Sequence, residues 1–109
     1  QKFTRHLITD EMSETHAVAF TDVNGDGKKD FVTGKRYYAH MRQGTGALEP
    51  AYLYWFEYVP GKEPKWIAHE IDDDSGVGLN VVAEDINKDG LTDVVIANKK
   101  GIFVFEQGR

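Results

Sequence analysis

Six aspartates stand in two tight groups along this chain. The stretches are DVNGDGKKD at 22–30 and DINKDGLTD at 85–93, and both fit the pattern D-x-N-x-D-G-x-x-D. Like charges gain nothing from crowding unless a cation joins them. The net charge is −5 at pH 7, and two divalent ions would bring it to about −1. Calcium takes about six to eight oxygens at roughly 2.3–2.6 Å in a forgiving geometry. Side-chain oxygens at loop positions 1, 3 and 5 (Asp22, Asn24, Asp26; Asp85, Asn87, Asp89) converge when the backbone curls. Glycine at position 6 permits the curl. Position 7 offers a main-chain carbonyl (Lys28, Leu91) and position 9 a further carboxylate (Asp30, Asp93). The pattern therefore predicts two calcium sites. Magnesium suits it less, because that ion demands a tighter octahedron and keeps its waters. Asn-Gly and Asp-Gly also mark plain hairpin turns, but a plain turn needs no acids at these alternating positions, twice over.

The loops begin like an EF-hand but lack its glutamate at position 12, where Thr33 and Ile96 stand inside apolar stretches. No helical periodicity flanks them, so each is a loop between strands. The surroundings repeat as well. Residues 3–35 align with 66–98 at an offset of 63 without a gap, with His6 on His69, Ile8 on Ile71, Phe3 on Trp66 and Val18 on Val81. Further on, the segment YWFE at 54–57 matches FVFE at 103–106 if the first copy carries 14 extra residues. Those fall within 37–52, where Gly44, Gly46 and Pro50 indicate a long loop. Alternation and β-branched content predict strands at 2–8, 17–21, 31–33, 52–59, 65–71, 80–84 and 94–97. The run 52–59 is apolar on both faces except at Glu57, as in a strand held between two layers. Four antiparallel strands per unit of about 60 residues is the arrangement of a propeller blade.

These copies resemble FG-GAP repeats, also called VCBS repeats, the calcium-loop blades of integrin α-subunit propellers and many secreted bacterial proteins. The resemblance implies an all-β fold, with two four-stranded antiparallel β-propeller blades and calcium held between the first two strands of each. It implies an extracellular, cell-surface or periplasmic setting. Residues 17–71 make the first blade and 80–107 the second, in a single segment spanning 1–109. The second blade lacks an outer strand, which residues 2–8 of another copy or a longer parent chain would supply. Such propellers close with about seven blades, so two-blade chains would close a ring with about three or four copies. The chain starts at Gln1, without an initiator methionine or a signal-like segment, and so reads as a processed product or an excerpt.

In such a sheet the two metal loops share one end, and the long connections gather at the other. That opposite end collects His16, Lys35, Arg36, Tyr37, Tyr38, His40, Asn80, Lys99 and Lys100. Cations, aromatics and amides mixed on loops suit an anionic or hydroxyl-rich ligand such as a glycan. Solvated lysines and tyrosines capping a neighbouring blade would account for the same residues. His6 and His69 share one unit position and are expected to pack. His16 has no histidine at the matching position of the second copy, which singles it out. Phe3 and Trp66 are expected in the core.

Forty per cent apolar content predicts a folded chain, and the acidic balance argues against nucleic acid as a partner. No apolar run approaches the roughly 18 residues of a membrane span. With no cysteine, disulfides say nothing about redox compartment. The leading expectation is a calcium-stabilised binding or assembly module whose partners are other blades and a glycan or protein. The alternative is part of the catalytic propeller of a sugar lyase or dehydratase, with His16, Lys35, Tyr37 and His40 as base, charge stabiliser or metal ligands. No nucleophile–base pair stands out away from the loops, which favours the binder.

Overall fold

A computed structural model describes residues 2–9, 15–35, 51–78, 80–98 and 101–108. Among them the chain is all-β, with seven strands and no helix. They are β1 (Thr15–Thr21), β2 (Asp30–Lys35), β3 (Leu53–Val59), β4 (Lys65–Asp72), β5 (Val81–Glu84), β6 (Asp93–Asn98) and β7 (Gly101–Phe105). The stretches rich in Val, Ile, Phe, Tyr and Trp pack well on a pleated surface, and the polar, glycine-bearing segments between them turn the chain. Two antiparallel sheets result, ordered β1-β2-β3-β4 and β5-β6-β7, and neither closes on itself.

The two sheets are paired in the same register. Val18↔Thr33 and Phe20↔Phe31 in the first become Val81↔Ile96 and Ala83↔Val94 in the second, each residue 63 positions later. Thr33↔Tyr54 and Phe31↔Phe56 become Ile96↔Phe103 and Val94↔Phe105, the third-strand residues moving by 49. The difference of 14 matches the longer connection between β2 and β3.

The main core lies between the sheets. Val32 and Leu53 from the first meet Val81, Val94 and Ile96 from the second, with Val23 and Val77 at the margins. Ala17, Ala19 and Trp55 pack on it from one side, and Ala83, Phe103 and Phe105 from the other. On the far face of the first sheet Phe31 and Phe56 form a second cluster with Tyr54 and Trp66, the Phe31 and Phe56 rings stacked 4.9 Å apart.

One expected strand is not formed. Residues 2–8 carry the alternation of a strand, yet they are unpaired and exposed, with Phe3 93% accessible. Alternation specifies which side chains share a face. It does not supply a neighbour, and a lone strand leaves its backbone groups to water. Phe3 is therefore outside the core of this chain, whereas Trp66 packs against Phe31 and Tyr58 with ring centroids 4.9 and 5.0 Å away. The second sheet has three strands, as expected of a unit whose outer strand is not supplied within the chain.

Antiparallel order puts the β1–β2 and β3–β4 connections at one end of the first sheet and the β2–β3 connection at the other. The β5–β6 loop lies at the first of these ends, since the Thr92 hydroxyl donates to the Asp22 carbonyl at 3.2 Å. At the opposite end the residues after β4 bond back to the first sheet's side. The Ser75 amide donates to the Ala51 carbonyl at 3.2 Å and the Val77 amide to the Lys35 carbonyl at 3.0 Å.

Candidate metal centres

Each acidic loop is wound by its own side chains. In the first, Asp22 Oδ1 accepts the Gly25 and Asp26 amides at 2.8 and 3.1 Å, and Oδ2 accepts that of Gly27 at 2.7 Å. Asp26 Oδ1 accepts the Lys28 amide at 2.9 Å. In the second, Asp85 accepts from Asp89 at 3.1 Å and Gly90 at 2.8 Å, and Asp89 from Leu91 at 2.9 Å. Short polar side chains that bond amides two to five residues on are what curl such segments. Position 6 needs a left-handed backbone, with φ of 84° at Gly27 and 87° at Gly90. Position 4 does too. Gly25 fills it in the first loop, and Lys88 fills it in the second at φ 62°.

The ninth residue anchors the loop to the sheet. Asp30 and Asp93 are both 0% exposed. Asp30 accepts the Val23 amide at 3.0 Å and the Tyr58 amide, at the end of β3, at 2.9 Å. Asp93 accepts the Ile86 amide at 3.0 Å and that of Gln107, past β7, at 2.9 Å. Val23 and Ile86 hold the same loop position, and Tyr58 and Gln107 are related by the same 49-residue step as the third strands.

This winding brings one oxygen from each aspartate together. Asp22, Asp26 and Asp30 each offer an oxygen within 4.8 Å of the others, as do Asp85, Asp89 and Asp93. Oxygens facing each other across a calcium ion stand about 4.6–5.2 Å apart, twice the bond length. Either triad is compact enough to share one ion. A carboxylate has about four acceptor positions, so lone pairs remain beyond those the amides use. The donor set is all oxygen, which suits a hard cation.

The charge state suits it as well. Partial burial pushes the Asp22 carboxyl up, but the amides of Gly27, Gly25 and Asp26 outweigh it and hold the group below the ordinary aspartate value. At Asp93 the Gln107 and Ile86 amides do the same against the cost of burial. Both therefore stay ionised at neutral pH, the form a cation needs.

Around each triad lies a layer that the loop motif does not contain. Glu57 Oε2 accepts from the Asn24 amide group at 3.1 Å, and its Oε1 meets His69 Nε2 at 2.9 Å. That histidine stacks on Trp55 with ring centroids 4.3 Å apart. Glu106 holds Asn87 in the same way at 3.5 Å. Single acids at matching places in apolar strands were the available signal for this pair. Gln107 joins the two loops, its side-chain amide donating to the Thr92 carbonyl at 2.8 Å and the Val23 carbonyl at 3.0 Å.

The opposite end is described in part. His16 lies in β1, Lys35 closes β2 with its side chain buried at 1% exposure, and Asn80 is exposed just before β5. Arg36, Tyr37, Tyr38, His40, Lys99 and Lys100 lie outside the described residues. The Ser75 hydroxyl, buried at this end, has no hydrogen-bond partner among the described residues.

Comparison of the chain with protein-family models, with curated proteins and with solved structures finds no match.

Proposed function

We propose that this chain is a calcium-stabilised β-propeller module, two blades whose metal loops rigidify one end while the opposite, loop-rich end presents a surface to a glycan or a protein. One observation carries the reading. The same triad of aspartates, wound by the same amide bonds and backed by the same glutamate, occurs twice at one end of the molecule. Asp22, Asn24 and Asp26 with Asp30, and Asp85, Asn87 and Asp89 with Asp93, would hold one ion each, and the Lys28 and Leu91 carbonyls complete the donor sets. Calcium there would offset two of the three clustered negative charges and fix a loop that otherwise relies on its amide bonds and on solvent to hold them together. The FG-GAP resemblance supports an extracellular setting, where millimolar calcium makes weak sites useful. No arrangement among the described residues favours catalysis over binding.

Calorimetric titration with calcium tests this. Two sites with dissociation constants of roughly 0.1–1 mM are expected, and a few millimolar calcium should stabilise the fold by about 1–2 kcal/mol per site through linkage. Asp26→Ala and Asp89→Ala should each remove one site. A melting curve that chelator leaves unchanged would sink the metal reading.

A further inference from the structure

The two acidic loops meet where the sheets adjoin, and two hydrogen bonds cross from one to the other. The Thr92 hydroxyl donates to the Asp22 carbonyl at 3.2 Å, and the Gln107 side-chain amide donates to the Val23 carbonyl at 3.0 Å. A third bond, from the same amide to the Thr92 carbonyl at 2.8 Å, braces the pair. Each end of this bridge is joined to a buried carboxylate. The Gln107 backbone amide donates to Asp93 Oδ1 at 2.9 Å, and the Val23 backbone amide donates to Asp30 Oδ2 at 3.0 Å. A path of hydrogen bonds and short backbone segments thus runs from Asp93 through Gln107 and Val23 to Asp30, both aspartates being 0% exposed. Val23 also stands between Asp22 and Asn24, and Thr92 directly precedes Asp93.

The bridge belongs to this junction and not to the repeat. The register between the copies sets Lys29 against Thr92 and Tyr58 against Gln107. Lys29 is exposed, and Tyr58 turns its ring to Trp66, with centroids 5.0 Å apart. Neither carries a side-chain amide, so the pattern the copies share does not account for the contact.

Winding either loop has a cost. Three carboxylates are held with oxygens within 4.8 Å of one another, and the backbone between them gives up its freedom. Where one loop is already held, the bridge holds Asp22, Val23 and Thr92 as well, and ordering the other loop costs less.

We infer that the two loops are coupled metal sites, in which loading either one raises the affinity of the other through Gln107 and Thr92. The inference rests on the calcium reading above and adds to it the regulation of each site by its neighbour, reciprocal by linkage. Two neutral hydrogen bonds across the junction place the coupling at about five- to tenfold in affinity, the low end of the usual range. The pair then fills over a narrower span of calcium concentration than two independent sites would.

Calorimetric titration with calcium tests this on the unaltered chain and on variants. Asp89→Ala removes the second site and should weaken the first about five- to tenfold. Asp26→Ala should weaken the second by the same factor. Thr92→Val with Gln107→Ala takes away all three bonds and spares every carboxylate. That chain should keep two sites, and adding Asp89→Ala to it should leave the first no weaker. Hydrogen exchange gives a readout independent of heats. In an Asp26→Ala chain, calcium can enter only the second loop, yet it should slow exchange of the Val23 amide, and should cease to do so once the bridge is removed. Asp26→Ala and Asp89→Ala suffice by themselves should the bridge variants unfold. Two sites that fill independently, with Asp89→Ala leaving the first unchanged, would overturn the coupling and leave the calcium reading in place. Absence of binding at both loops of the unaltered chain would overturn that reading, and the coupling with it.

Discussion

Within each triad the fifth and ninth positions differ. Asp26 and Asp89 are exposed and each accepts an amide of its own loop, so under the proposed metal reading their removal affects metal binding above all. Asp30 and Asp93 are buried, and each receives two amides from separate parts of the backbone. Asp30→Ala would strand the Val23 and Tyr58 amides where water has little access. Each unsatisfied donor costs about 1–3 kcal/mol. Urea unfolding in chelator should therefore show Asp30→Ala destabilised by about 2–6 kcal/mol and Asp26→Ala close to wild type. Equal losses for the two variants would mean that the ninth position is a ligand and nothing more.

At the scale of elements, the loops are bound to each other as well as to their sheets. Gln107 follows β7, yet its backbone serves Asp93 and its side chain reaches the carbonyls of Thr92 and Val23. Thr92 in turn donates to Asp22. The start of the first metal loop thus rests on the end of the second. Gln107→Ala keeps the backbone bond to Asp93 and removes both side-chain bonds, with an expected loss of about 1–3 kcal/mol. If the first loop holds calcium as proposed, the same variant should weaken binding there, although Gln107 hydrogen-bonds to the Val23 carbonyl and not to the loop's carboxylates. Calorimetry that finds the first site unaltered would show the bridge to be incidental.

For the whole molecule, the shared core makes the sheets one folding unit. Ile96 belongs to β6, is 1% exposed, and packs in the cluster that includes Val32 and Leu53 from the first sheet. Both tryptophans, Trp55 and Trp66, lie in the first sheet. Ile96→Ala should cost about 2–5 kcal/mol for the lost contacts and the cavity. The tryptophan fluorescence transition should move by the full amount, even though the cavity opens in the other sheet. If fluorescence stays put while circular dichroism shifts, the sheets unfold separately. The outer faces of the two sheets belong to this scale too: Val18 and Phe20 on one and Val82, Ile102 and Val104 on the other are exposed.

The loops were legible in the sequence because a nine-residue turn is local. The residues that wind it, Asp22 with Gly27 or Asp85 with Gly90, lie within five positions of one another, and residue type at fixed spacing carries the geometry. Strand positions and the registers at offsets of 63 and 49 were legible for a related reason. Alternating apolar residues specify a face, and two copies of one pattern pair alike. The residues behind the loops were not legible as a layer. Glu57 is 33 positions from Asn24, and Gln107 is 84 from Val23. Nothing in a linear pattern distinguishes a glutamate beside a metal loop from one in solvent. Lys35 shows the same limit in reverse, a cation at a strand end that is buried in the folded chain. Residues 2–8 mark the boundary most sharply. Their sequence carries the pattern of a strand, but a strand needs a neighbour's backbone to bond, and only the tertiary structure decided that the described residues offer none to them.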